Sequence, residues 1–122
     1  MGKSIEDFFK VMLDFFPLLN HDYEMNIYEH GQLLETVVIE DIFMPEIIKL
    51  LQENKETKLL KNIFKYFEEV VNCKDEDLIN TFSVTVLEIL GNDKEILETS
   101  RCYMGPQTIQ LQIEADRALG RC

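Results

Sequence analysis

The sequence lacks tryptophan, has two histidines, and has no Lys or Arg between Lys10 and Lys49. It also has no apolar run near the ~20 residues that a membrane-spanning helix needs. Acidic residues follow Met1 too closely for a signal peptide, and Glu6 stands where N-myristoylation requires Ser or Thr. These absences predict a cytoplasmic protein that neither spans a membrane nor is anchored to one.

The three cysteines are few and widely spaced: Cys73, Cys102 and Cys122. A disulfide framework uses an even number of cysteines, and a zinc site uses close pairs. We therefore expect reduced thiols, with Cys73 and Cys102 in the core and Cys122 at the terminus.

The histidines, His21 and His30, lie nine residues apart and match neither the zinc-protease nor the di-iron spacing. No serine or cysteine has a histidine near it in sequence, and no phosphate-binding glycine motif is present. The sequence predicts no catalytic residue, no cofactor and no metal site, and hence no enzyme. A metal-dependent or enzyme-like site that joins both histidines to a distant cysteine remains an alternative.

Acidic residues are in large excess, with 23 Asp and Glu against 12 Lys and Arg. Nucleic-acid binding requires clustered cations, and anionic membrane surfaces repel acidic proteins, so both classes of partner are disfavoured. The negative field favours a basic protein partner. The excess is uneven, because residues 1–54 hold eleven acids and three bases (net −8), and residues 55–122 hold twelve and nine (net −3).

The base-free stretch between Lys10 and Lys49 is the candidate binding surface. Tyrosine is enriched at protein interfaces because it combines a large contact area with one polar tip, and two tyrosines stand among these acids. The alternative is that the acids only solvate helix faces and a loop. We predict that the partner contacts Asp22, Tyr23, Glu24, Tyr28, Glu29, Glu35, Glu40 and Asp41.

Helix signals recur along the chain and predict an all-α protein, a bundle of six or seven short antiparallel helices in a single domain, residues 1–122. Ser4 is typical of a helix cap, and Pro17 ends the first helix. A second helix is predicted from about Asn20 to His30, with Gly31 as its stop.

Residues 32–40 are harder to interpret, because Thr36-Val37-Val38-Ile39 has the β-branched composition of a strand but no second strand to pair with. We interpret this segment as a buried loop that leads into a helix capped near Asp41. Pro45 then falls in or just after the first turn.

The second half carries clearer signals. An apolar stripe predicts an amphipathic helix from about Lys55 to Asn72, with Glu68 on its polar face. The remaining boundaries are predicted at an Asp75 cap, a C-terminal glycine at Gly91, a capping box of Asn92 with Glu95, Pro106 in a first helical turn, and a final stop at Gly120.

Two parts of the chain resemble a known family. The first runs from Tyr23 to Leu51 and contains Tyr28-Glu29-His30-Gly31-Gln32-Leu33-Leu34, followed by a buried-looking segment and a helix. The second runs from Phe67-Glu68-Glu69 through Asp75-Glu76-Asp77, Val86-Leu87-Glu88 and Tyr103-Met104-Gly105-Pro106 to the closing helix. They resemble a family of small bacterial all-α domains of unassigned function, whose members look like polymorphic-toxin immunity proteins.

The resemblance implies a protein that is encoded beside a toxin and binds it, and it supplies no catalytic residues. Thr36 and Glu40-Asp41 stand where the family would have a histidine and a Gly-Asp pair, so the partner differs if this segment takes part in recognition. We predict a non-catalytic domain that neutralises a cognate toxin. A homo-oligomeric scaffold is a further alternative, favoured if the apolar face of the first helix is exposed.

Overall fold

The computed structural model describes residues 4–120, and seven helices in this range form an all-α bundle, as predicted. The predictions about Met1 and Cys122 fall outside this range. No helix among the described residues is long and apolar enough to cross a membrane. The helices are α1 (Ile5–Phe15), α2 (Asn20–His30), α3 (35–53), α4 (Thr57–Val71), α5 (76–90), α6 (Lys94–Arg101) and α7 (Pro106–Ala118).

The first two helices begin and end where the sequence predicts. The Asp7 N–H donates to Ser4 Oγ at 3.2 Å, which caps α1. Pro17 starts a short 3₁₀ turn, Pro17–Leu19, that leads into α2. Gly31 ends α2 in the left-handed conformation (φ 70°), which glycine adopts at little cost.

Helix α3 corrects the interpretation of residues 32–40, because residues 35–40 are helical and Asp41 is not a cap. Its parts are Glu35–Val38, a π-helical turn at Ile39–Phe43, and Met44–Glu53. The composition favours a strand, and the lack of a second strand led to the interpretation as a loop. The helical conformation instead buries Val38 and Ile39 almost completely, and burial overrides a weak local preference.

The π-helical turn in α3 ends at Phe43, two residues before Pro45. Proline has no N–H, and its ring clashes with the carbonyl group four residues earlier in a regular α-helix. The Met44 N–H donates to the Ile39 carbonyl, five residues back, which widens the turn at this point. The chain therefore passes Pro45 without ending the helix.

Helix α5 is built in the same way, from Glu76–Phe82, a π-helical turn at Ser83–Leu87, and Glu88–Leu90. The predicted cap is confirmed, since the Leu78 N–H donates to Asp75 Oδ1 at 3.1 Å. The π-helical turns of α3 and α5 contact each other.

Helix α5 ends at Leu90, directly before Gly91, as predicted, but Gly91 is right-handed (φ −76°) and is not a left-handed C-terminal glycine. The next predicted boundary is wrong by one residue. Asp93, and not Asn92, caps α6, because its Oδ1 accepts from the N–H groups of Glu95 (2.9 Å) and Ile96 (3.2 Å). Both residues have a side chain suited to capping, but Asp93 has the extended backbone that an N-cap requires.

An aromatic cluster from α1, α4 and α5 forms the centre of the core. The ring of Phe67 lies 6.4 Å from that of Phe8 and 4.9 Å from that of Phe82, and all three side chains are buried. Rings at such separations attract each other beyond the burial of their area. This cluster joins three helices that are far apart in sequence.

Glu68 joins α4 to α7, although the sequence placed it on a polar face. Its carboxylate accepts from the N–H of Gln107 (3.1 Å), the N–H of Thr108 (2.8 Å) and the Thr108 hydroxyl (2.8 Å). The Asn72 side chain donates to the same carboxylate at 3.2 Å. Burial opposes ionisation, but the bonds from Thr108, Gln107 and Asn72 outweigh it and lower the pKa of Glu68.

Gly105 makes this cap possible. A Cβ atom at this position would lie 2.5 Å from Glu68 Cδ and 2.6 Å from Oε1, closer than real Cβ contacts come. The backbone of Gly105 is ordinary (φ −77°, ψ 171°), so glycine is required for space and not for its torsion angles. Pro106 follows at the start of α7, as predicted.

The prediction of two core cysteines is wrong for one of them. Cys73 is partly buried and packs against the core, but Cys102 is exposed after the last turn of α6. The sequence suggested burial because a free cysteine resembles a small apolar residue. At this position Tyr103 and Met104 supply the contacts with the core.

Candidate protein-binding surface

Helix α2 lies on the outside of the bundle, and none of its residues is fully buried. Tyr23 holds it in place, because its ring lies 5.8 Å from that of Phe9 and 6.4 Å from that of Phe43. Burial, and to a lesser degree the nearby Glu6 carboxylate, raise the pKa of Tyr23. This predicted contact residue therefore faces inward, half-buried, and positions the helix.

The opposite side of α2 carries an apolar stripe. Leu18 is 93% exposed, Met25 41% and Tyr28 81%. Leu18 lies in the 3₁₀ turn just before α2, and Met25 and Tyr28 follow seven and ten residues later. Such spacings place side chains on one side of a helix, where the exposed His21 lies between Leu18 and Met25. The stripe extends over about 15 Å at 1.5 Å per residue.

Acidic side chains flank this stripe. Asp22, Glu24 and Glu29 are all exposed. Asp22 and Glu29 are seven residues apart and lie on one side of the stripe, and Glu24 lies on the other by helical periodicity. We call the set Leu18, Asp22, Glu24, Met25, Tyr28 and Glu29 the α2 outer face.

The other predicted acids divide into two places. Glu40 and Asp41 are exposed on the π-helical turn of α3, the same turn that supplies Phe43 to the ring of Tyr23. Glu35 instead lines a depression of about 410 Å³ near the first turns of α1, α3 and α5. Acids at helix N-termini are stabilised by the helix dipole, which gives Glu35 a structural role at its position.

The two histidines do not come together. Both lie on α2, and nine residues correspond to two and a half turns, so His21 and His30 occupy opposite sides of one helix. His30 Nδ1 lies 2.9 Å from the Asn26 carbonyl oxygen. Within residues 4–120 no three His, Cys, Asp or Glu side chains are arranged to hold a metal ion.

The apolar face of α1 is covered. Phe8, Phe9 and Met12 are buried, and Phe15 and Phe16 are partly buried against the core. The exposed face that would favour a homo-oligomeric scaffold is therefore not present on α1. Among the described residues, the two most exposed large apolar side chains, Leu18 and Tyr28, belong to the stripe of the α2 outer face.

Leu18 and Met25 were not predicted as surface residues, because the prediction depended on charge and tyrosine. Their spacing with Tyr28 was readable, but leucine and methionine at helical spacing belong to a core far more often than to a surface. Only the inward position of Tyr23 reveals which side of α2 faces outward.

No match was found among curated proteins or among solved structures. A family model described as a domain of unknown function, DUF7674, matches residues 9–119. The resemblance to immunity proteins stays a prediction. Because the family model matches most of the length of the chain, the chain belongs to the family described as "Domain of unknown function (DUF7674)".

Proposed function

We propose that this chain is a non-catalytic protein-binding domain that binds a basic protein through the α2 outer face, with Glu40 and Asp41 beside it. The observation that carries the proposal is a helix without a buried residue, whose exposed side combines an apolar stripe with flanking acids. It lies in a stretch of 38 residues, 11–48, without Lys or Arg.

The two components of this surface serve different steps of binding. Charges at the rim of an interface steer the partner and raise the association rate. Large apolar side chains removed from water at the centre supply most of the affinity. Solvation alone explains exposed acids, but it does not explain Leu18, Met25 and Tyr28 aligned between them.

We further propose that the partner is a toxin encoded beside this chain and that binding neutralises it. This part rests on the resemblance to immunity proteins and on the acidic charge. In this role the chain needs no cofactor, and it acts by covering a surface of the toxin.

The test is co-expression with the product of the adjacent gene, followed by co-purification and a measurement of association rates. A triple variant, Asp22→Lys, Glu24→Lys and Glu29→Lys, should associate about tenfold or more slowly at low salt. Screening should shrink this difference at high salt.

The matched control reverses three other exposed acids, Glu53, Glu56 and Glu98, and should change the rate much less. Equal effects of the two triple variants would exclude the α2 outer face as the binding surface. If the partner does not inhibit growth when expressed alone, the toxin part of the proposal fails and the binding part stands.

A further inference from the structure

We infer that the part of the partner that meets the α2 outer face is a basic amphipathic helix, with one apolar stripe flanked by Lys or Arg. This inference rests on the proposed function and deepens it, because it specifies the structure of the contacting element. It follows from the shape of the surface, the spacing of its apolar residues and the placement of its charges.

The shape of the surface excludes a small ligand. Small molecules bind in concave sites that cover most of their surface. The α2 outer face is the convex side of one helix, about 10 Å across with its side chains. A convex ridge of this kind contacts another ridge or a groove between ridges, which is how helices pack on helices.

The apolar spacing matches a helix pair. Leu18, in the turn before α2, and Met25 are seven residues apart and Tyr28 follows three later, the intervals at which one helix repeatedly meets a neighbour. The exposed His21 holds the remaining position of this row and is the one polar side chain in it. The backbone of α2 is hydrogen-bonded internally, so it offers no edge to which an extended strand could add. The contacting element therefore needs an apolar stripe with helical periodicity of its own.

The charges specify what flanks the partner's stripe. Asp22 and Glu29 on one side and Glu24 on the other correspond to the positions beside the seam of a helix pair, where opposite charges select the partner. A second copy of this chain does not fit. Its α2 would place acids against acids, with no Lys or Arg nearer in sequence than Lys10 and Lys49.

The inference is tested by adding peptides to the full chain, labelled with ¹⁵N for NMR. The probe is a synthetic peptide of about 18 Leu and Lys residues, long enough to form a helix, with leucine on one face. The control has the same composition, with leucine and lysine alternating as in a strand. We expect the helical pattern to bind about tenfold more tightly, with shifts in residues 18–29 and 40–41.

Variants identify the contact. Leu18→Ala and Met25→Ala should each weaken binding of the helix-patterned peptide roughly tenfold. Val84→Ala, which truncates a side chain 43% exposed on α5, should leave binding unchanged. Since all three side chains are exposed, none of the variants should disturb the fold.

Equal binding of the two peptides, or equal affinity of Leu18→Ala and wild type for the helix-patterned peptide, would show that charge alone drives binding at the α2 outer face. That result overturns the inference and leaves the proposed function standing. Binding of neither peptide, or shifts confined to other helices, also overturns it. The proposed function itself fails only in the separate experiment with the adjacent gene product.

Discussion

Replacing Gly105 with alanine should force Glu68 away from the N-terminus of α7. The added Cβ atom would lie 2.5 Å from Glu68 Cδ. The carboxylate is the flexible end of its side chain, so it will move before the backbone does. It then loses its bonds from the N–H groups of Gln107 and Thr108 and from the Thr108 hydroxyl.

The expected change in the free energy of unfolding follows from two opposing effects. Loss of an N-cap costs about 0.5–2 kcal/mol, and hydrogen bonds to a charged group contribute about 1.5–3 kcal/mol. Alanine at a position with ordinary torsion angles restricts the unfolded chain and stabilises by about 0.4–1 kcal/mol. Because Glu68 is only partly buried, we expect Gly105→Ala to lower the free energy of unfolding by about 1–2 kcal/mol.

The same substitution should cost much less when Glu68 is already alanine. All three of the atoms nearest to the added methyl group belong to the Glu68 side chain, so its removal relieves the clash. In the Glu68→Ala background, Gly105→Ala should change the free energy of unfolding by less than about 0.5 kcal/mol, because the entropic gain from alanine is offset by the preference for glycine over alanine at an N-cap. Urea unfolding of the four proteins, followed by far-ultraviolet circular dichroism, measures this cycle. Equal destabilisation in both backgrounds would refute the explanation of Gly105.

The cap also predicts a pH dependence. Since the pKa of Glu68 is lowered in the folded protein, its contribution is complete above the ordinary carboxyl pKa and is lost as the pH falls through the lowered value. The difference in unfolding free energy between wild type and Glu68→Ala should be largest near neutral pH, and it should shrink in acid. A difference that is constant from neutral to acidic pH would show that the carboxylate charge does not contribute.

Three further predictions concern stability and accessibility. Gly31→Ala should lower the unfolding free energy by about 1 kcal/mol, measured in urea, because φ is 70° there; Gly31→Asn should cost less. Phe67→Ala should cost about 3–5 kcal/mol, and a cost below about 1 kcal/mol would contradict its place in the core. In a Cys122→Ser variant, a thiol reagent should modify Cys102 faster than Cys73, as peptide mass spectrometry can show; the reverse order would contradict their exposures.

Helix boundaries that depend on a few neighbouring residues were predictable from the sequence. Ser4, Asp75 and Gly31 act within one helical turn of the groups they bond, so local pattern is enough to identify them. The helical conformation of residues 35–40 was not predicted, because the β-branched side chains at 36–39 favour a strand locally. Only burial against other helices stabilises the helix there.

Contacts between distant residues were not predictable. Glu68 and Thr108 are 40 positions apart, and nothing in either neighbourhood signals their hydrogen bonds. Part of the candidate surface was predictable from the sequence, since the acids of α2 are exposed as expected. The inward direction of Tyr23 and the outward direction of Leu18 depend on how α2 rests against Phe9 and Phe43.

The peripheral position of α2 has a consequence for how this protein can change over evolutionary time. Apart from Tyr23, the residues of the helix contribute little to the core, so substitutions on its exposed side leave the bundle intact. The residues that stabilise the fold are thus distinct from the residues that form the exposed side of α2. Substitutions on the exposed side of this one helix can therefore accumulate without a prior gain of stability elsewhere in the fold.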